Sequence, residues 1–340
     1  MTRLTTDYKH EPAPRQISRN LIEVTTISPA RPRIFVSIAS YRDTQAPLTV
    51  ASLLKNADYP ERVEIGLFNQ IDPEQDQDCI VKDTRQVNQH IINCRESRGA
   101  CWARGYVWSR LLGDQDFALQ IDSHMRFAPG WDTCLLDMYY SLNDDKAVLS
   151  HYPMSFDAET ETLTEQMYTR FDVQKFKDTG LPEISSAARP LAEAPARCLQ
   201  TAFIAAGGLF TRAHVFREIP YDPFIYFHGE EITYAIRLWT HGYNLYLPNR
   251  PFMGHDYHNN GRRRLHWQEH DNWRDRNELA TQRCRHLLRI ARAQNASALQ
   301  DLALFDLGFE RTLTEYEQFS GRSFRHQSLS DKARKGEVQA

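Results

Sequence analysis

The sequence predicts an α/β fold, and three observations carry that reading. Short apolar, β-branched runs recur at residues 34–39, 63–68 and 117–121, each the length of one buried strand. Stretches with helical spacing of apolar residues lie between them, over 47–57 and 99–113. A chain of 340 residues holds one large α/β domain with insertions, or two smaller domains.

Composition narrows the class. A hydrophobic fraction of 41% supports a sizeable core, and a net charge of -3 excludes a whole-chain basic field for nucleic acid. The six cysteines (Cys79, Cys94, Cys101, Cys134, Cys198, Cys284) form no CxxC pair, so they indicate reduced thiols rather than a zinc knuckle or disulfide framework. The N-terminus has no apolar signal-type core, and no run of 18 apolar residues occurs. A cytoplasmic protein without a membrane span is expected.

In chain order, residues 1–30 carry Pro12, Pro14 and Pro29 without periodicity and read as a flexible leader. The strand over 34–39 ends in Ser40-Tyr41-Arg42-Asp43, and Pro47 opens a helix whose apolar stripe is Val50, Leu53, Leu54 and Ala57. With the strand over 63–68 this makes a β-α-β opening. In an open α/β sheet, ligands bind at such strand ends. There is no GxGxxG, so a dinucleotide fingerprint is not supported. Residues 69–88 are polar and acidic and predict a surface loop running into a helix, followed by a strand at 90–94. Arg98 and Arg104 flank the start of the next helix, suited to a phosphate or carboxylate or, equally, to ordinary ion pairs.

The strand over 117–121 stops at Asp122, and His124 follows two residues later. The i, i+2 spacing puts both side chains on one side of an extended backbone. A carboxylate with an imidazole suits Mn²⁺ better than Ca²⁺, which prefers oxygen ligands throughout. Pro129-Gly130-Trp131 opens a helix through Leu135, Leu136 and Tyr139, with Trp131 readable as a cover over a site or as a core side chain. A strand is expected over 148–152, and 154–197 is a polar insertion. Gly207-Gly208 after an apolar run predicts a close approach of backbone or ligand. His228-Gly229-Glu230-Glu231 precedes a helix over 232–239, where the paired acids also suit the helix dipole. A strand over 243–247 leads to Gly254-His255-Asp256-Tyr257-His258. Amphipathic helices are expected over 267–295, a short helix over 298–318, and then a polar tail.

Asp122-x-His124, Gly207-Gly208-Leu209-Phe210, Gly229-Glu230-Glu231 and Gly254-His255 together resemble, in order and spacing, the nucleotide-sugar glycosyltransferases of the GT-A fold. In detail the chain is similar to the family that includes the polypeptide and Skp1-type α-N-acetylglucosaminyltransferases, whose nucleotide-binding elements IFVSIASYRD and ESRGACWAR resemble. A more distant similarity is to the mucin-type polypeptide N-acetylgalactosaminyltransferases. This chain departs from them in carrying Phe227-His228-Gly229-Glu230-Glu231 where they have W-G-G-E-N.

The resemblance implies a mixed, mostly parallel sheet flanked by helices. It implies a catalytic domain over 31–260, with residues 261–340 as a helical extension and tail. It implies a UDP-sugar donor with Mn²⁺ or another divalent cation on its diphosphate, held by Asp122, His124 and His255, with His258 as the alternative third ligand. Ser40, Arg42, Asp43, Arg98 and Arg104 would face the nucleotide, with Asp43 on uracil or ribose. Gly207 and Gly208 would let the sugar approach the backbone, Trp131 would cover the site, and the catalytic pair Glu230 and Glu231 would hold sugar hydroxyls or the acceptor or, in the alternative, one of them would act as nucleophile or base. The implied reaction transfers N-acetylglucosamine from UDP-GlcNAc, with retention, to a hydroxyl of a protein or glycan. The alternatives are another UDP-hexose as donor, or a non-catalytic module that binds a nucleotide sugar.

Overall fold

The computed structural model describes residues 31–82, 85–163, 167–258 and 263–339; the leader expected over 1–30 lies outside them. The chain begins with β1 (Ile34–Tyr41), α1 (Ala46–Asn56), β2 (Val63–Ile71), β3 (Val87–Asn93), α2 (Ala100–Arg110), β4 (Phe117–Asp122), β5 (Met125–Phe127), α3 (Trp131–Ser141) and β6 (Ala147–Ser150). It continues with β7 (Met154–Asp157), β8 (Thr162–Leu163), β9 (Met167–Phe176), β10 (Pro182–Pro190), β11 (Leu199–Gln200), β12 (Gly208–Arg212), α4 (Val215–Glu218) and α5 (Glu230–Thr240). Then come β13 (Asn244–Leu247), β14 (Met253–His255), α6 (His266–Glu269), α7 (Trp273–Leu287) and α8 (Leu313–Ser320).

The main sheet has eight strands in the order β11-β13-β6-β12-β4-β1-β2-β3. The pairs β1–β2, β1–β4, β2–β3 and β6–β13 are parallel, whereas β12 runs antiparallel to both β4 and β6. Both faces are covered, which explains why the strands read as continuous apolar runs. Along β1, Phe35 packs into a core shared with Val107 and Trp108 of α2, while Ile34, Val36 and Ile38 pack into a second core with Leu53 of α1 and Leu135 of α3. The two-residue period of a strand sends alternate side chains to the two cores.

A second sheet, in the order β5-β14-β7-β8, positions the site. β14 pairs antiparallel with β5, which sets His255 opposite Met125, the residue after His124. The Asp256 N–H continues the pairing by donating to the His124 carbonyl at 3.0 Å. This register brings together two histidines 131 positions apart in the chain. On the other side of β4, Gly208 pairs with Ile121, so Gly207 lies against Asp122.

Several elements differ from the sequence expectations. Among the described residues of 69–88 there is one 3₁₀ turn, Gln77–Cys79, and no α-helix. The insertion at 154–197 is largely β-structure, its main part the antiparallel hairpin of β9 and β10. The region 298–318 carries 3₁₀ turns before α8, whose start is fixed by a capping box between Thr312 and Glu315. Tyr316 of α8 packs edge-on against Trp239 of α5, so the C-terminal region shares the first core.

Trp131 takes the core alternative of its two readings. Its side chain is fully buried in the second core, tilted against Phe127, and its indole N–H donates to the Leu53 carbonyl at 3.0 Å. It is a core side chain and not a cover over a site, because β5 and α1 enclose it. Trp131→Ala is expected to cost about 3–5 kcal/mol of stability through the cavity it leaves. Urea unfolding monitored by circular dichroism measures this, and a loss below about 1 kcal/mol would place the side chain outside the core.

Candidate active site

Asp122 ends β4 with a quarter of its side chain exposed, at the mouth of a cavity of about 350 Å³. Its two oxygens face different partners. Oδ1 accepts from Arg104 Nη2 at 2.5 Å, and Oδ2 lies 3.2 Å from His255 Nε2. Arg104 Nη1 donates to Glu230 Oε1 at 2.5 Å, and that same oxygen accepts from the Tyr221 hydroxyl. Burial works against the charge of Arg104, but the carboxylates of Glu230 and Asp122 raise its pKa well above the usual value. Burial likewise opposes ionisation of Asp122; the Arg104 charge and the His255 hydrogen bond outweigh it and hold the carboxyl well below its usual range.

The ligand atoms of Asp122, His124 and His255 all lie within 4.8 Å of one another. The 3.2 Å between Asp122 Oδ2 and His255 Nε2 matches neighbouring ligands on one ion with bonds of about 2.1–2.2 Å. His124 faces Asp43 Oδ2 through Nδ1 at 2.7 Å. With a carboxylate as partner, Nδ1 carries the proton and Nε2 keeps its lone pair for an ion. Among the described residues, none is a hydrogen-bond partner of the buried His255 Nδ1. Two imidazoles and a carboxylate suit a borderline divalent cation, and the residues therefore fit one. His258 is not among the three whose ligand atoms converge.

Asp43, expected on uracil or ribose, is buried and occupied otherwise. Besides His124 it accepts from Ser123 Oγ at 2.6 Å and from the Gln45 N–H at 2.9 Å. Its carboxylate orients the His124 ring. Arg42 is turned away as well: its guanidinium donates to Asp76 at 2.7 Å and to Glu269 at 3.0 Å, on a backbone with φ of 49°. That left-handed conformation is uncommon for arginine, and the two carboxylates hold it there. Ser40 is buried, and its carbonyl accepts from Gln70 Nε2 at 2.9 Å. Arg98 lines a different cavity.

Gly207 and Gly208 answer to close packing of the protein on itself. A Cβ at Gly207 would stand 2.5 Å from Asp122 Oδ2, and one at Gly208 would stand 2.6 Å from the His151 carbonyl. Of these two, Gly207 lines the cavity and Gly208 does not. Among the expected residues, Arg104, Asp122, Gly207, Glu230, Glu231 and His255 share that cavity.

Glu231 accepts from the Ala206 N–H at 2.8 Å and from the Tyr152 hydroxyl. Burial, against those hydrogen bonds and with the Glu230 charge, pushes its pKa up to about 7. Tyr152, Tyr221, Lys177 and Tyr257 were not anticipated as part of the site. Gln120 was not anticipated either, though a polar residue inside an apolar strand is a signal that could have found it: it donates to the Ala206 carbonyl at 2.8 Å and to Tyr221 at 3.1 Å, and it accepts from Trp108 at 2.8 Å.

The pattern of the family described as "Glycosyltransferase (GlcNAc)" matches residues 33–90 and 81–326. The chain belongs to this glycosyltransferase family. No curated sequence matches it. Among solved structures, GalNAc-T7 with UDP, GalNAc and Mn²⁺ is similar at a TM-score of 0.55 and 15% identity, over 88% of this chain and 59% of that one. The chain thus spans under two thirds of GalNAc-T7. S. aureus TarS (residues 1–349), with UDP or UDP-GlcNAc, gives TM-scores of 0.43 and 0.42 at 11% and 13% identity. These cover 80% of this chain in each case and 70% and 71% of TarS, and the scores are too low to bear on the fold. The glycosyltransferase has the GT-A fold, with Asp122 at the carboxyl end of a central strand.

The raised pKa of Glu231 has a consequence for stability. The unfolded chain releases this proton near pH 4.5 and the folded one near 7, so stability falls as pH rises between those values. Glu231→Gln is expected to flatten that slope in thermal melts taken from pH 5 to 7. An unchanged slope would show that Glu231 titrates normally.

Proposed function

We propose that this glycosyltransferase moves N-acetylglucosamine from UDP-GlcNAc to a hydroxyl of a protein or glycan, with retention, in the manner of the polypeptide and Skp1-type enzymes. The observation that carries the reading is the convergence of Asp122, His124 and His255 at the rim of an acidic cavity, in a chain of the GlcNAc family. GalNAc-T7, of the same fold, binds UDP, GalNAc and Mn²⁺. The six cysteines are all free, in keeping with a reducing, cytoplasmic setting. Among the described residues no helix is long and apolar enough to cross a membrane.

Asp122, His124 and His255 would hold the divalent ion, with Asp43 fixing the ring of His124. When bound, the ion neutralises charge developing on the departing diphosphate. The chain's own residues shape the rest. Gly207 leaves room beside Asp122 where any side chain would intrude. Glu230 is held by Arg104 and Tyr221, and Glu231 by Tyr152 and the Ala206 N–H. Carboxylates restrained in this way are poor nucleophiles and serve better as acceptors for sugar hydroxyls. We therefore favour attack of the acceptor oxygen on the face from which UDP leaves. The bond from the anomeric carbon to the diphosphate breaks, the bond to the acceptor forms, and the acceptor's proton passes to the leaving oxygen.

Calorimetric titration of UDP with and without Mn²⁺ tests the reading. Wild type is expected to bind UDP more tightly with the ion, and His255→Ala to lose most of that gain, with metal affinity down by roughly 10- to 100-fold. Equal UDP affinity with and without Mn²⁺ in both proteins would overturn it. A panel of UDP-sugars scored for slow hydrolysis should rank UDP-GlcNAc first, and trapping a covalent glycosyl-Glu230 or glycosyl-Glu231 species would contradict same-face attack.

A further inference from the structure

A second cavity lies outside the catalytic cleft. It has a volume of about 910 Å³ and follows α2 from Arg98, before the helix, to Leu112, beyond it. Residues of the 216–226 segment and of α7 and the 297–305 region form its other walls. Its chemistry is the reverse of the cleft's. Among the described residues, Arg98, Arg110, Arg217 and Arg276 line it, and no aspartate or glutamate does. On a chain of net charge -3 this is a local inversion of sign. Arg276 is partly buried, and burial together with the charge of Arg98 lowers its pKa. The two cations act on each other with no acid among the lining residues to separate them.

Between the arginines the walls are aromatic, with Trp102, Tyr226 and Phe305 among them. Arg98 sits over the Trp102 ring at 5.6 Å. Guanidinium groups bind carboxylates two bonds at a time, and aromatic walls take up flat or apolar side chains. The eleven residues of α2 extend about 16 Å, the length of roughly five residues of extended chain. A long polyanion such as nucleic acid would meet the net negative field of the whole chain, whereas a short acidic segment meets only the groove.

The groove also adjoins the cleft. Tyr221 lines it while its hydroxyl donates to Glu230, and the segment that runs from Tyr221 through Tyr226 continues into Phe227, which lines the catalytic cavity.

We propose that this groove binds an acidic polypeptide segment bearing an aromatic or apolar residue, and that it docks the protein acceptor of the neighbouring cleft. The docking role rests on the transferase reading above; binding of the segment does not.

Fluorescence anisotropy with a labelled random copolymer of glutamate and tyrosine tests it on the full chain, with polylysine and inorganic polyphosphate as comparisons. The copolymer is expected to bind, more weakly as salt rises. Arg110→Glu with Arg276→Glu should weaken it by about tenfold or more while leaving Mn²⁺-dependent UDP binding in place. Should the double variant melt early, Arg110→Glu alone, at an exposed position, carries the test. No copolymer binding by wild type, undiminished binding by the folded variant, or polyphosphate binding as tight as the copolymer's would overturn the proposal. Copolymer binding in a protein that fails to bind UDP would leave the groove standing and remove the transferase reading instead.

Discussion

Arg104 is the group on which the cleft depends. Its guanidinium is almost wholly buried and bridges the strand-end Asp122 to Glu230 at the start of α5, at 2.5 Å on each side. Three elements meet there: α2 supplies the cation, β4 one anion and α5 the other. Ion pairs of this kind add little net stability relative to an apolar core, but removing one partner leaves an uncompensated charge and costs about 3–5 kcal/mol. The bridge thus works as a geometric constraint. It fixes which oxygen of Asp122 is spent on the protein and which is left toward His255.

The electrostatic consequence follows from simple bookkeeping. Asp122, Glu183, Glu230 and Glu231 line the cleft, and Arg104 and Lys177 offset only part of their charge. Burial pushes Glu231 toward neutrality, while Asp122, stabilised by Arg104 and His255, stays ionised. The cleft is therefore left with a negative focus where Asp122, His124 and His255 converge, which is where a divalent cation gains most. Asp43 completes the arrangement from behind. A buried carboxylate on Nδ1 of His124 sets the tautomer that a metal ligand needs.

Much of this was legible in the sequence, for local reasons. The strand that stops at Asp122 and the i, i+2 histidine are a short-range pattern that strand geometry orients, whereas His255 joined them only through the resemblance to GT-A glycosyltransferases. The β-α-β opening was legible because apolar runs and helical stripes differ in period. The partners of the arginines were not. Whether Arg104 meets a phosphate or two carboxylates depends on contacts across 18 and 126 positions, and no periodicity records them. The resemblance put Asp43 and Arg42 near the nucleotide, yet both are engaged by the protein's own side chains. Trp131 was ambiguous until the packing of β5 and α1 enclosed it. The hairpin of β9 and β10 was hidden by its polar composition, since it lies apart from the main sheet and much of β10 is exposed.

The central claim is that Asp122, His124 and His255 jointly hold the ion that receives the diphosphate of a UDP-sugar. The most direct measurement is a crystal structure of the protein soaked with Mn²⁺ and UDP, with the ion located by its anomalous scattering. The account predicts one peak about 2.0–2.3 Å from Asp122 Oδ2, His124 Nε2 and a ring nitrogen of His255, with diphosphate oxygens completing the shell. UDP bound in the cleft with the ion elsewhere, or with His255 outside its coordination, would contradict it.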